Sequence, residues 1–398
     1  MKNRWIQLTI GTITLLFLGL IYAWSIFRDP LLEIFPMWSM AEISFVFTLS
    51  MILFCLGIII SGRILERVEA RWILLISGVI IFMGFMIVSK SLDWNQPRES
   101  LIKLYIFYGL FCGLGVGTGY IAILNAVMSW FPERPGLAGG ILLMGFGCGG
   151  LVLGTITKGF IDRIGVADTL FYLSIVFFIL CGLVSFVLHP APEERSVKIN
   201  ARKEEVSFTP RQMLRTKYFW LILLFGIFSA SGGLMVINSA VPIALSFGAS
   251  AGVGLVVSIF NGGGRVVVGT IFDKFGAGVS LMFNASLLIG GGILLVLTSL
   301  TGNQTFLWIG LPLIGLAFGG FPAVTSAVAR TRWGKAHYPV NFGILSTNLI
   351  AAAFMGPYLS GVLQDWSGNF NSTFLMITVF GIIGFAIASL LKKIEDRT

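Results

Sequence analysis

The chain has 398 residues, of which 56% are hydrophobic and only 11% are charged, and its mean hydropathy is +0.91. A soluble domain carries about 25% charged residues, so this composition excludes an ordinary soluble protein. It predicts an all-α polytopic membrane protein. The net charge of +9 does not indicate nucleic-acid binding, because the basic residues fall between apolar runs.

Twelve apolar segments along the chain are long enough to cross a bilayer. They predict two pseudo-symmetric six-helix bundles, residues 1–189 and 218–398, joined by a polar cytoplasmic linker at 190–217. The approximate predicted spans are 5–27, 43–62, 72–89, 101–128, 136–160, 168–189, 218–243, 250–272, 279–300, 305–327, 340–363 and 372–391.

The distribution of lysine and arginine predicts the orientation of these spans. If both termini lie inside, the inner segments hold 20 basic residues and the outer segments hold six. Cytoplasmic loops are the ones enriched in such residues. We therefore expect a multi-pass protein of the cell membrane with both termini in the cytoplasm. Its expected surroundings are the lipid bilayer, and we expect a monomer.

Short segments recur between the two halves. After span two the chain reads Gly62-Arg-Ile-Leu-Glu66-Arg67, and 207 residues later, after span eight, it reads Gly269-Thr-Ile-Phe-Asp273-Lys274. Gly140-Ile-Leu in span five likewise matches Gly343-Ile-Leu in span eleven, at an offset of 203. Matches in register predict two similar halves with a binding site at their interface.

Arg265 is the strongest functional signal in the sequence. It lies in an apolar run, eight residues before Asp273, which at about 1.5 Å per residue places its Cα roughly 12 Å inside the membrane. A guanidinium at this depth costs on the order of 2.5–3.5 kcal/mol. Its planar fork of donors fits a substrate carboxylate. The alternative is a structural arginine that bonds backbone carbonyls or extends to the cytoplasmic surface.

The duplicated layout and the acid–base loops resemble the major facilitator superfamily, in which these loops close the cytoplasmic side. Five motifs resemble, more closely, the oxalate/formate antiporter family, which is related to the monocarboxylate transporters. These motifs are Tyr22-Ala-Trp24-Ser-Ile-Phe27, Asn125 with Trp130-Phe131-Pro132-Glu133-Arg134 and Gly136-Leu137-Ala138, Met213-Leu214-Arg215-Thr216 with Phe219-Trp220, Asn261-Gly262-Gly263-Gly264-Arg265, and Asn341-Phe342-Gly343. The resemblance implies a transporter of small organic anions.

One departure from the family bears on the substrate. In oxalate exchangers a lysine of span eleven acts with the arginine, but this chain has Leu349 there, beside Asn348. One cation neutralises one carboxylate, whereas a dianion leaves about one unit of charge unpaired in a low dielectric. We therefore expect a monocarboxylate resembling lactate, pyruvate or formate. An oxalate:formate-type antiporter is the alternative.

Asn261 lies one helical turn before Arg265. Monocarboxylate transporters have a proton-binding acid paired with the arginine, but asparagine does not titrate. Proton coupling through this pair is therefore not expected. Exchange for a counter-anion and co-transport of a proton bound elsewhere are both open.

Aromatic and polar residues in other spans are further candidates for substrate contact. The resemblance places Tyr22, Tyr120 and Phe318 along the family's cavity. Trp24, Asn125 and Asn348 are further aromatic and amide candidates within the spans. Helix packing is the alternative role for each of them. The four cysteines and two histidines lack metal-ligand spacing. We expect no metal, no cofactor and no enzyme activity, and the alternative of another class is a non-transporting sensor of carboxylates.

Overall fold

The computed structural model describes residues 2–191, 207–237, 239–250, 252–367 and 369–396. Within these ranges every regular element is helical, as the composition predicts. Most of the predicted linker, residues 192–206, lies outside the described residues. The helices are Lys2–Leu18, Gly19–Ala23, Ser25–Ile34, Met40–Leu65, Ala70–Ser91, Pro97–Lys103, Leu104–Cys112, Gly113–Met128, Pro135–Val187, Pro210–Leu214, Lys217–Ile237, Ala240–Ser246, Val253–Thr301, Gln304–Thr331, Tyr338–Leu345, Asn348–Ser367 and Asn371–Glu395.

Two long helical runs are each interrupted by one non-helical glycine. Ten helical runs in the described residues are long and apolar enough to cross a membrane. The helices Pro135–Val187 and Val253–Thr301 each contain one non-helical glycine, Gly165 with φ 82° and Gly276 with φ 79°. Glycine adopts positive φ without the steric cost of a side chain. Each of these glycines therefore divides its run into two helices, and the ten runs in the described part of the chain are consistent with the twelve predicted spans.

Two spans are interrupted at predicted site residues. Span one changes to a 3-10 helix at Gly19–Ala23, which contains Tyr22, and an α-helix resumes after Trp24. Span eleven stops at Leu345 and resumes at Asn348. Breaks in membrane helices expose main-chain groups, and they commonly line a cavity or a binding site.

The chain forms two compact units, each held together by its own contacts. The first consists of Met1–Pro132, Gly145–Ser207 and Ala336–Ile344, and the second of Glu133–Met144, Phe208–Lys335 and Leu345–Thr398. The start of span five thus belongs to the second unit, and the start of span eleven to the first. The domain boundaries from the sequence, 1–189 and 218–398, stay a prediction.

Candidate substrate-binding site and gate

Arg265 is buried in the second unit, with 5% of its surface exposed. Its Nη1 donates a hydrogen bond to the main-chain carbonyl of Leu143, at the start of span five. Within the described part of the chain its buried Nε has no hydrogen-bond partner, and no carboxylate forms an ion pair with the guanidinium. One carbonyl dipole therefore compensates the cation only in part, and most of the five guanidinium N–H donors have no acceptor in the described part of the chain.

A close helix crossing brings Leu143 to this arginine. A Cβ atom at Gly140 would overlap the carbonyl oxygen of Arg265 and would lie 3.1 Å from Cα of Val266. The helix Pro135–Val187 therefore approaches span eight backbone to backbone at Gly140. Leu143 follows less than one turn later on the same helix, which places its carbonyl within reach of the guanidinium.

Gly140→Ala is expected to push these two helices apart and to destabilise the protein by about 1–3 kcal/mol, the usual cost of overpacking. The matched control is Gly159→Ala on the same helix, because a Cβ there would meet no atom within 4 Å. The measurement is the unfolding temperature of the purified protein. Equal unfolding temperatures for the two variants would contradict the close crossing.

The glycines before Arg265 have different surroundings. A Cβ at Gly264 would overlap the carbonyl oxygen of Leu316 in span ten, whereas a Cβ at Gly263 would meet nothing within 4 Å. Span ten thus packs closely against Gly264, while Gly263 faces open space.

The second unit brings Asn261 and Phe318 to the same pair of helices as Arg265. A Cβ at Gly319, next to Phe318, would lie 2.9 Å from Oδ1 of Asn261, and this buried oxygen has no hydrogen-bond partner among the described residues. The Phe318 ring itself lies against Gly233 of span seven. Among the described residues, Asn261 therefore offers an unused acceptor one helical turn from the cation.

Asn348, the fourth candidate in the second unit, is packed against span seven. It is 2% exposed, and a Cβ at Gly226 would overlap its Nδ2. The break before Asn348 thus turns this side chain toward span seven. A direct role of Asn348 in substrate binding stays a prediction.

Tyr22 and Tyr120 lie in the first unit, where both contact Phe146. The ring centroids of Tyr22 and Phe146 are 5.2 Å apart, and those of Tyr120 and Phe146 are 4.8 Å apart. Phe54 and Phe342 extend the cluster on the Tyr120 side. Tyr22 is 39% exposed and Tyr120 only 6%. The sequence reasoning missed Phe146, because one phenylalanine among 35 carries no signal of its own.

Trp24 and Asn125, also in the first unit, have different environments. Trp24 is 5% exposed, its indole N–H donates to the carbonyl of Ile43 at 3.2 Å, and its ring lies 4.5 Å from that of Tyr108. Its only side-chain donor is thus used inside the unit. Asn125 is half-buried and forms no hydrogen bond through its side chain with a described residue, so its amide stays available.

The second acid–base loop contacts the start of span five. Oδ1 and Oδ2 of Asp273 accept hydrogen bonds from the main-chain N–H groups of Gly136 and Leu137, both at 2.7 Å. These donors belong to the first turn of a helix, where unpaired N–H groups and the helix dipole favour an anion. A Cβ at Gly136 would overlap the carbonyl oxygen of Gly269. The close approach of Gly136 and Gly269 therefore keeps the carboxylate of Asp273 against the N-terminus of the helix Pro135–Val187.

The first acid–base loop contacts the start of span eleven by different groups. Oε1 of Glu66 lies 2.6 Å from Nδ1 of His337 and 3.5 Å from Nη1 of Arg63. A Cβ at Gly62 would come within 2.8 Å of the carbonyl carbon of Pro339. The two loops thus hold the starts of two spans, one through main-chain amides and the other through a histidine side chain.

The helical spans and the repeated acid–base loops define a helical membrane transporter. The proton:xylose symporter XylE has the same fold, with a TM-score of 0.77 over 98% of this chain and 96% of that chain at 15% identity. The fucose:proton symporter FucP of Escherichia coli matches with a TM-score of 0.69 over 98% and 99% at 14% identity. A model of the Major Facilitator Superfamily matches residues 5–347. The chain belongs to this family.

Three relatives cover most of the chain. The oxalate:formate antiporter of Oxalobacter formigenes is 27% identical over 395 residues, which are 97% of this chain and 91% of that protein. The MFS-type transporter YhjX of Escherichia coli is 25% identical over 350 residues, or 86% and 84%. Human monocarboxylate transporter 11 is 27% identical over 350 residues, or 80% and 68%. The predicted fold and the predicted family resemblance are confirmed.

Proposed function

We propose that this transporter carries a small monocarboxylate across the cell membrane by alternating access, and that Arg265 binds the carboxylate. The observation that carries the proposal is a 5% exposed guanidinium whose Nε lacks an acceptor and whose charge lacks a carboxylate among the described residues. The names of the similar antiporter and monocarboxylate transporter support the same substrate class. Both termini are proposed to lie in the cytoplasm.

In the proposed cycle the substrate replaces Leu143 as the main partner of Arg265. A carboxylate accepts two parallel N–H bonds from the guanidinium, including the one from Nε that is unused here. Such charge-assisted bonds are stronger than a bond to a neutral carbonyl. We further propose that binding draws the guanidinium away from Leu143, which would release one of the attachments between span five and span eight and promote movement of the helix segment that Asp273 also holds.

Exchange of a dicarboxylate for a monocarboxylate is the second candidate, because the Oxalobacter relative is an oxalate:formate antiporter. The charge count favours the monocarboxylate, since the position of the second cation is occupied by Leu349. A structural role of Arg265, bonded only to Leu143, is the alternative that the experiment must exclude.

The test is a thermal-shift screen of formate, lactate, pyruvate and oxalate on the purified protein and on Arg265→Ala. A ligand present at 100 times its Kd stabilises the native state by about 2.7 kcal/mol. We expect a monocarboxylate to stabilise the wild type and not the variant. Uptake of that compound into proteoliposomes then separates a transporter from a sensor. Equal stabilisation of both proteins would show that Arg265 is structural.

Leu349→Lys is expected to increase the affinity for oxalate by at least about tenfold, because a second cation would neutralise the second carboxylate and close charge pairs couple by about 1.5 kcal/mol or more. Leu349 is half-buried in span eleven. Leu349→Met, which keeps the volume and adds no charge, is the control. The measurement is the dissociation constant for oxalate, and an unchanged value in the lysine variant would count against the charge argument.

The same proposal includes a cytoplasmic gate made of the two acid–base loops, Gly62 to Arg67 and Gly269 to Lys274. Asp273 and Glu66 hold the starts of spans five and eleven. The basic members Arg67 and Lys274 form no ion pair with a described residue, so the acidic members carry the contacts. Opening of the gate toward the cytoplasm requires that these contacts break.

A further inference from the structure

The two gate contacts differ in the chemistry of their donors. Asp273 accepts from two main-chain N–H groups, and main-chain amides do not titrate. At the offset of 203 residues that relates the two halves, Gly136 corresponds to Pro339, which has no N–H group. The start of span eleven therefore cannot offer the same amide there. Glu66 instead lies 2.6 Å from Nδ1 of His337.

We infer that His337 is a proton-sensitive latch, which strengthens the contact between span eleven and Glu66 at acidic pH and weakens it as the pH rises. Histidine is the side chain whose charge ordinarily changes between about pH 5 and 8. The protonated ring donates a charge-assisted hydrogen bond from Nδ1 to the carboxylate. The neutral ring donates from Nδ1 in only one of its two tautomers and carries no charge.

The other groups around this pair do not reverse the direction of the effect. Among the described residues, Arg63 is the other charged side chain in contact with Glu66, and it is 65% exposed. Arginine side chains are not deprotonated in proteins, so this contact adds no pH dependence of its own. Tyr338, the next residue after His337, is buried and its hydroxyl contacts Sδ of Met128, which brings no charge. The pH dependence of the contact is therefore assigned to His337.

The sign of the effect follows from the protonation states. The additional attraction is fully present where the histidine is protonated and is lost as the pH rises and the proton leaves. An acidified cytoplasm would thus hold the span-eleven contact closed. This inference rests on the gate in the proposed function but does not depend on which substrate is carried, so the substrate proposal and the latch can fail separately.

The test is hydrogen–deuterium exchange of the purified full-length protein at pH 6 and pH 8, corrected for the intrinsic pH dependence of amide exchange. Peptides that cover Tyr338–Leu345 report opening of the gate contact. We expect them to be about fivefold better protected at pH 6 than at pH 8, because charge-assisted hydrogen bonds are roughly twice as strong as neutral ones.

His337→Gln should abolish this difference, and His189→Gln should retain it. The chain has only these two histidines, and the side chain of His189 forms no hydrogen bond with a described residue. Glu66→Gln provides a second variant that should also abolish the difference. Retention of the pH difference in His337→Gln, or its absence in the wild type, would overturn the inference. The thermal-shift screen tests the substrate proposal independently.

Discussion

Arg265→Lys is expected to lower carboxylate uptake by at least about thirtyfold, because truncating one side of a buried, hydrogen-bonded charge pair costs about 2–5 kcal/mol. Lysine keeps the positive charge but concentrates it on one ammonium, which cannot make two parallel bonds to a carboxylate. The measurement is initial uptake, into proteoliposomes, of the monocarboxylate that stabilises the wild-type protein. Both the maximal rate and the apparent affinity should fall.

The matched control is Arg98→Lys, the same exchange at a side chain that is 85% exposed. This control should transport like the wild type. Arg265→Lys should insert and unfold at nearly the wild-type temperature without ligand, because a lysine still donates to the carbonyl of Leu143. Normal uptake by Arg265→Lys would show that binding requires neither a bidentate contact with the guanidinium of Arg265 nor its Nε.

The spans were predictable because each is an apolar run bounded by polar or charged residues, and the bilayer sets their minimum length. The interruption of span eleven was not. The two residues between Leu345 and Asn348 are Ser346 and Thr347, and either residue type is common inside a continuous membrane helix. The exchange of short segments between the compact units also leaves no sequence signal, because it depends on contacts between residues more than 100 positions apart.

The candidate site was predictable where a side chain is unusual in its surroundings. Arg265 is such a case, since a cation deep in an apolar run is costly. Its partner was not predictable, because Leu143 contributes a main-chain carbonyl and every residue has one. In the sequence, His337 shows only that it lacks metal-ligand spacing. Its contact with Glu66 became visible when the structure showed which helix start meets which loop.

Asp273→Asn is expected to shift the gate toward its open state by roughly 10-fold to 150-fold, because a hydrogen bond to a charged group contributes about 1.5–3 kcal/mol. The asparagine oxygen can accept from one of the two main-chain N–H groups of Gly136 and Leu137, but its NH₂ group meets the other as a second donor. Faster hydrogen exchange in peptides that start at Gly136 measures the effect. Asp168→Asn, an exposed acid at the start of span six, is the control and should exchange like the wild type.

The same variant tests whether the substrate cation and the gate are coupled. The segment from Pro135 to Met144 is held by Asp273 at one end and by Arg265, through Leu143, near the other. With the Asp273 contact weakened, a carboxylate that takes Arg265 away from Leu143 removes the second attachment, so substrate should accelerate exchange of this segment more in Asp273→Asn than in the wild type. In Asp273→Asn combined with Arg265→Ala the substrate should have no effect. Acceleration that persists in the double variant would place the coupling elsewhere than in the guanidinium.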